Sequence, residues 1–247
     1  MTYEELYTSR LNVELNSASS NGVYSSTHRM QAINDGYREF ALLTECWVVR
    51  ASVSVSCNTA EYVLSTLSGF RRLDASGPEY RLLSSGSSGV LTVLAGKEDF
   101  PRRDEVWLNT YQTGWHSTTP RTPTGWYLRH SGGQTLFGLD GPPDVGSSEV
   151  CTLRLPYIAE PTAMTASTSV PFSDTSGMRS DLIEYHQALA HFGAYKLLPM
   201  VGDLDGAKEQ LVKFTDYVKR FWQNKRPKGG THVTMARSYL SQARRRP

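Results

Sequence analysis

The spacing of apolar residues switches twice along this chain, from a step of three to four residues to a step of two and back. That double switch limits the folds open to it. Between Thr2 and about Leu15, Tyr3, Leu6, Tyr7, Arg10 and Leu11 fall at helical spacing, with Glu4 and Glu5 in the first turn, where the helix dipole favours anions. A polar break, Asn16 to Gly22, leads to a second periodic stretch in which Met30, Ile33, Tyr37, Phe40 and Ala41 form one stripe and Ser25 or Ser26 can cap the start. Two such helices joined by a loop predict an antiparallel hairpin. From Cys46 the period becomes two, as Trp47, Val49, Ala51, Val53 and Val55 alternate with Val48, Arg50, Ser52, Ser54 and Ser56. Further strands are expected at Tyr62 to Leu67, Val90 to Leu94, Glu105 to Leu108, Gly125 to His130, Gln134 to Leu139 and Val150 to Tyr157. The serine-rich run Ser84 to Ser88 reads as a loop tip. The paired glycines of Arg129-His-Ser-Gly-Gly-Gln134 supply the positive φ that a tight hairpin demands.

Helical spacing returns at Asp181 with Leu182, Tyr185, Leu189, Phe192 and Tyr195, and Pro199 closes that helix. Asp203 then caps a fourth, striped by Ala207, Leu211, Phe214, Val218, Phe221 and Trp222. Amphipathic helices of this length are marginal alone, so the simplest burial is a single antiparallel bundle built from both ends of the chain. The expected fold class is α+β: that bundle (1–45 and 178–225), an inserted β-sandwich or small barrel (46–177) and an extended basic tail (226–247).

With 39% hydrophobic and 20% charged residues the composition is that of an ordinary globular chain, and no apolar run approaches bilayer length. The acidic, amphipathic start gives no expectation of a signal peptide. Cys46, Cys57 and Cys151 are an odd count without a C-x-x-C pair, which fits buried hydrophobes better than a disulfide framework or zinc site. The net charge of +2 conceals a marked asymmetry, because the last acidic residue is Asp216 and cations accumulate after it.

Few residues fall in patterns that carry chemistry. His186 and His191, five apart, do not share a helix face as i, i+4 metal ligands would. Gly202-Asp-Leu-Asp-Gly206 resembles a calcium loop but lacks the glutamate at loop position twelve, so a cap and turn is expected. Neither phosphate-binding glycine motif occurs, nor a G-x-S-x-G elbow, so no enzyme activity and no cofactor are expected. Trp107, Tyr111, Trp115, Trp126 and Tyr127 either pack a core or form a stacking platform, the latter suiting a glycan-recognition module. The tail has three readings: a solubilising end, a nucleic-acid arm acting by counterion release, or a docking arm. Docking is preferred because Val233, Met235, Tyr239 and Leu240 offer apolar anchors among Arg226, Lys228, Arg237, Arg244, Arg245 and Arg246, which suit carboxylates on a partner.

Four places in the chain resemble the head-to-tail adaptor, or connector, family of tailed bacteriophages. They are Met30-Gln-Ala-Ile-Asn-Asp-Gly-Tyr-Arg-Glu-Phe40 with the strand from Cys46, Gly125-Trp-Tyr-Leu through Leu139-Asp-Gly-Pro-Pro-Asp144 and Cys151-Thr-Leu-Arg-Leu-Pro-Tyr157, and Tyr185-His-Gln-Ala-Leu-Ala-His-Phe-Gly-Ala-Tyr195 with the helix after it. The resemblance spans about residues 2 to 225; the serine loop and the tail depart from it. It implies a virion protein of the neck, a dodecameric ring under the portal with the helices toward the portal and neighbouring subunits and the β region toward a tail or nozzle protein. DNA would pass the ring lumen without sequence-specific binding, and no membrane would be involved.

Overall fold

The computed structural model describes residues 1–15, 23–56, 58–75, 77–83, 91–95, 100–111, 115, 121–144, 150–174, 177–178 and 180–225. It is a mixed α and β chain with antiparallel sheets. It divides into two compact units, Met1–Trp47 with Pro161–Pro247, and Val48–Glu160.

The first unit begins with α1 (Tyr3–Glu5), a π-helical turn (Leu6–Arg10) and α2 (Leu11–Glu14). Thr2 and Glu5 form a reciprocal capping box that satisfies two otherwise orphaned backbone donors. Two more are met by the returning chain, Tyr3 N–H by the Ser169 carbonyl at 2.7 Å and Glu4 N–H by the Ser167 carbonyl at 3.1 Å. The second helix, α3 (Ser26–Thr44), is capped by Ser25 and ends on Glu45 in the left-handed region. A 3-10 stretch, Ser180–Tyr185, precedes α5 (His186–Leu197); the 3-10 turn Leu198–Val201, with proline in its first turn, separates that helix from α6 (Leu204–Lys225). Asp203 Oδ1 accepts the Gly206 N–H at 2.8 Å, so the acidic turn serves as the α6 cap.

Helix α5 is enclosed on nearly every side, by α3 and α6 and by the π turn and α2. Its small residues permit this. Gly193 lies against Leu11 and Ile33, and a Cβ on Gly36 of α3 would stand 2.9 Å from the Leu189 carbonyl oxygen, too close to accommodate without moving backbone.

In the second unit, β8 (Val150–Ala159) is the hub of a five-stranded antiparallel sheet. Along one edge it pairs β1 (Val48–Val55) residue for residue, Val48 with Ile158 through Val55 with Cys151. Its other edge is shared by β3 (Phe70–Leu73) and β4 (Glu79–Leu83), and β5 (Leu91–Ala95) adds to β4. In β1, Ala51, Val53 and Val55 are shielded while Arg50, Ser52 and Ser54 are exposed, as the period of two requires. A three-stranded sheet places β7 (Gln134–Leu139) between β2 (Glu61–Val63) and β6 (Trp126–Ser131). Gly132 and Gly133, at φ 58° and 77°, make the β6–β7 turn. A short β9 (Ser173–Asp174) and β10 (Gly177–Met178) hairpin belongs to the first unit.

Several expectations need correction. Among the described residues no barrel closes, because β1 and β5 are the ends of an open sheet and the three-stranded sheet is separate. Glu105–Tyr111 is a helix, α4, where a strand was expected. Asp104 decides this by accepting the Trp107 N–H on its side chain at 2.6 Å and the Leu108 N–H on its carbonyl, a helical start that outweighs the β preference of Val106 and Trp107. The strand expected to reach Leu67 stops at Val63, since Leu64–Thr66 turns into a 3-10 helix. Strands β3 and β4 were not expected, because charged Arg71, Arg72, Glu79 and Arg81 break the apolar alternation, with register shifts at Phe70/Arg72 and Tyr80/Arg81. The serine loop lies outside the described residues.

Tyr127 and Gly138 face each other on β6 and β7, and the Tyr127 ring lies flat across the glycine to donate to Glu61 Oε1 on β2 at 2.8 Å. A Cβ on Gly138 would fall inside that ring. Gly138→Ala is therefore expected to cost about 1–3 kcal/mol through overpacking. Urea unfolding measures this, and adding Tyr127→Leu should recover part of the loss because the two changes share one contact.

Candidate interaction surfaces

Within the first unit the polar interior is organised by Glu14, the last residue of α2. Its carboxylate accepts from Gln187 Nε2 and Gln210 Nε2, each at 3.1 Å, and lies 3.4 Å from His191 Nδ1 and 3.9 Å from Lys213 Nζ. His191 Nδ1 also meets Gln210 Oε1 at 2.8 Å. One side chain thus ties the N-terminal helix to α5 and α6, with most of its acceptor capacity used. At the other end of that helix Asn34 donates to the Tyr3 hydroxyl and brackets Met164, accepting from its N–H at 2.8 Å and donating to its carbonyl at 3.0 Å.

His186 is the contrast. It is fully buried, with Phe172 tilted against its ring, and neither ring nitrogen has a hydrogen bond. Burial pushes its pKa down to about 4; the Pro171 carbonyl acts in the opposite direction without reaching hydrogen-bond geometry. His186 and His191 therefore sit in different surroundings, and among the described residues no cluster of three His, Cys, Asp or Glu could hold a metal. Cys46 is buried; Cys57 and the Cys151 side chain lie outside the described residues.

Of the five aromatics considered for a stacking platform, Trp115, Trp126 and Tyr127 are buried. Trp126 stacks on Phe137, and Trp115 meets Tyr127 edge-on in a core with Leu108. Trp107 is half-buried between the Arg103 guanidinium, 4.0 Å above it, and Tyr111; Tyr111 is exposed. The five do not make one open face, because the β6–β7 core consumes the larger rings. A cleft of about 450 Å³ in the same unit is lined by Leu73, Phe100, Trp126 and Leu128 together with Arg72 and Arg102.

On the helical unit, exposure concentrates at the α5–α6 turn, where Met200, Val201 and Leu204 face outward beside Asp203 and Asp205. Along α6 the exposed stripe continues as Asp205, Glu209, Val212 and Asp216. Each carboxylate has a lysine one turn away, Asp205 with Lys208, Glu209 with Lys213 and Asp216 with Lys219. The tail residues singled out from sequence, Arg226, Lys228, Val233, Met235, Arg237, Tyr239, Leu240, Arg244, Arg245 and Arg246, lie outside the described residues. Sequence reading missed Glu14, Asn34 and Gln210, whose polarity marks them as surface residues until a partner is known. Among the described residues no helix is long and apolar enough to cross a membrane.

A family model described as SU10 adaptor protein matches residues 1–242. No curated protein matches the chain.

Two outcomes follow from this interior. Glu14→Ala strands the buried amide of Gln210 and leaves the half-buried Gln187 amide to water, and should lower stability by about 1–3 kcal/mol; hydrogen exchange should speed up across residues 3–15 before the rest of the unit opens. For His186 the folded pKa lies below the unfolded value, so its contribution is complete above pH 6.5 and is lost as pH falls toward 4. At about 1.4 kcal/mol per pKa unit the loss approaches ~3 kcal/mol, and unfolding of His186→Leu should show a correspondingly flatter pH dependence over that window.

Proposed function

The chain belongs to the SU10 adaptor protein family of phage structural adaptors, and on that premise we propose that it forms a ring, dodecameric by resemblance, between portal and tail. The observation that carries this reading is the pairing of that family match with a chain whose two ends build one compact helical unit while residues 48–160 form a separate β unit. A ring subunit needs side interfaces for its neighbours and axial ones for the components above and below. Two independently cored units, read as an antiparallel helical bundle and an inserted β-sandwich, supply distinct surfaces for those roles. The helical unit binds neighbouring copies and the portal, and the β unit binds the tail or nozzle protein. DNA crosses the ring lumen without base readout, and the protein resides in the virion neck.

The basic tail is the portal-docking element in this reading. Tyr239 and Leu240, with Val233 and Met235, anchor in apolar pockets, and Arg226, Lys228, Arg237 and Arg244 to Arg246 steer toward carboxylates. The tail acts without chemistry of its own, in keeping with a structural rather than enzymatic role.

Mixing the purified chain with its portal ring should give a twelve-fold collar in negative-stain images. A chain ending at Lys225 should keep its circular dichroism and melting profile yet lose portal binding. Undiminished binding by that shortened chain would assign docking to the helical unit instead.

A further inference from the structure

Charge is divided sharply along this chain. Residues 226–247 carry six cationic side chains and no acid, whereas residues 1–225 carry twenty cations against twenty-four acids. The tail is thus +6 on a body of −4. The body also leaves an apolar turn uncovered: Met200, Val201 and Leu204 are 54%, 50% and 60% exposed, and Asp203, Asp205 and Glu209 surround them in sequence. The stripe Asp205, Glu209, Val212 and Asp216 runs from that turn along α6 toward the point where the tail begins, and Val212 is itself 59% exposed. Farther along α6 the acids are outnumbered by Lys208, Lys213, Lys219, Arg220 and Lys225, so the acidic complement to the tail lies at the turn, in Asp203, Asp205 and Glu209.

Length and turn chemistry fit the same occupant. A helix the length of α6 is ~33 Å long. From Lys225, the eight residues to Val233 reach at most ~28 Å and the fourteen to Tyr239 ~48 Å. A tail doubling back on α6 therefore brings Tyr239 and Leu240 over Leu204, while Val233 falls short of it. In sequence, Pro227 disfavours a helix and Gly229-Gly230, two residues on, suits a chain reversal.

We infer that the tail docks on its own chain, with Tyr239 and Leu240 seated on Met200, Val201 and Leu204 and the tail arginines facing Asp203, Asp205 and Glu209 in and around that turn. The contact belongs to the free chain and is independent of the proposed ring. Where the tail later meets a partner, that partner must displace it from this turn.

Photocrosslinking of the full-length chain tests this. With Tyr239 replaced by benzoylphenylalanine, irradiation should give a monomeric product joined within residues 200–212. In Met200→Ser/Leu204→Ser, whose sites are exposed and whose fold is checked by melting, the yield should fall about tenfold, matching the loss of ~1.4 kcal/mol of docking. Asp205→Asn/Glu209→Gln or 0.5 M sodium chloride should also reduce it severalfold. No crosslink to this region, or a yield indifferent to the serine pair, would overturn the inference. A product running as a dimer would overturn it in favour of the tail of a second copy. Because no portal is present, either failure leaves the proposed ring function untouched.

Discussion

The ring of Phe40 is the point on which the helical unit closes. It projects from α3 into contact with Phe172, Tyr185, Phe214 and Phe221 at centroid separations of 5.5 to 6.3 Å. Those four rings come from the segment before α5, the 3-10 turn leading into it, and two turns of α6. One side chain thus joins residues far apart in sequence, edge-on to Phe172, Phe214 and Phe221 and tilted against Tyr185. Phe172 reaches this position only by adopting a left-handed backbone at φ 58°, an arrangement that costs a non-glycine residue about 1–2 kcal/mol. The Tyr37 hydroxyl accepts its N–H at 3.1 Å, and its ring packs on Tyr37 at 4.9 Å, so the surrounding contacts hold the conformation.

Around this apolar centre the polar groups are handled in two ways. At Glu14 and Asn34 they are matched almost completely, which explains how the first fifteen residues, too short to be helical alone, are fixed at both ends. At His186 they are not matched, and the ring stays neutral because burial costs the charged form more than it costs the neutral one. The same unit therefore contains a clasp that resists opening and a group that weakens it in acid. The β unit applies the first solution again, where Tyr127 and Arg129 on β6 both reach Glu61 across the strand between them.

For a phage structural adaptor, surfaces carry the function, and the exposed ones here differ in character. The helical unit offers an apolar turn with acids in and around it, the β unit a cleft with arginines in its lining, and the tail a cationic, acid-free sequence containing Val233, Met235, Tyr239 and Leu240. Oppositely charged surfaces within one chain favour ordered encounters, because complementary charge steers association before close packing holds it.

The positions of the long helices were legible because burial on one face imposes a period that survives in the sequence. Asp203 announced its cap, the cap of α3 was narrowed to Ser25 or Ser26 with Ser25 taking it, and Gly132-Gly133 announced their turn, since each acts on backbone within a few residues. The β region was less legible, and α4 shows why: Val106 and Trp107 favour strands, yet the side chain of Asp104 starts a helix. The tail's composition was plain from sequence, but composition does not say where a segment docks. Nor did apolar spacing reveal that α5 is enclosed almost all round, because alanine and glycine weaken the stripe while permitting closer contact. The sequence by itself determined the local periods, the caps and the charge division, all consequences of neighbouring residues. Only the tertiary structure decided that Glu14 meets Gln210, that Asn34 meets Met164 and that Phe40 meets Phe221, because those pairings depend on distant segments burying the same surface.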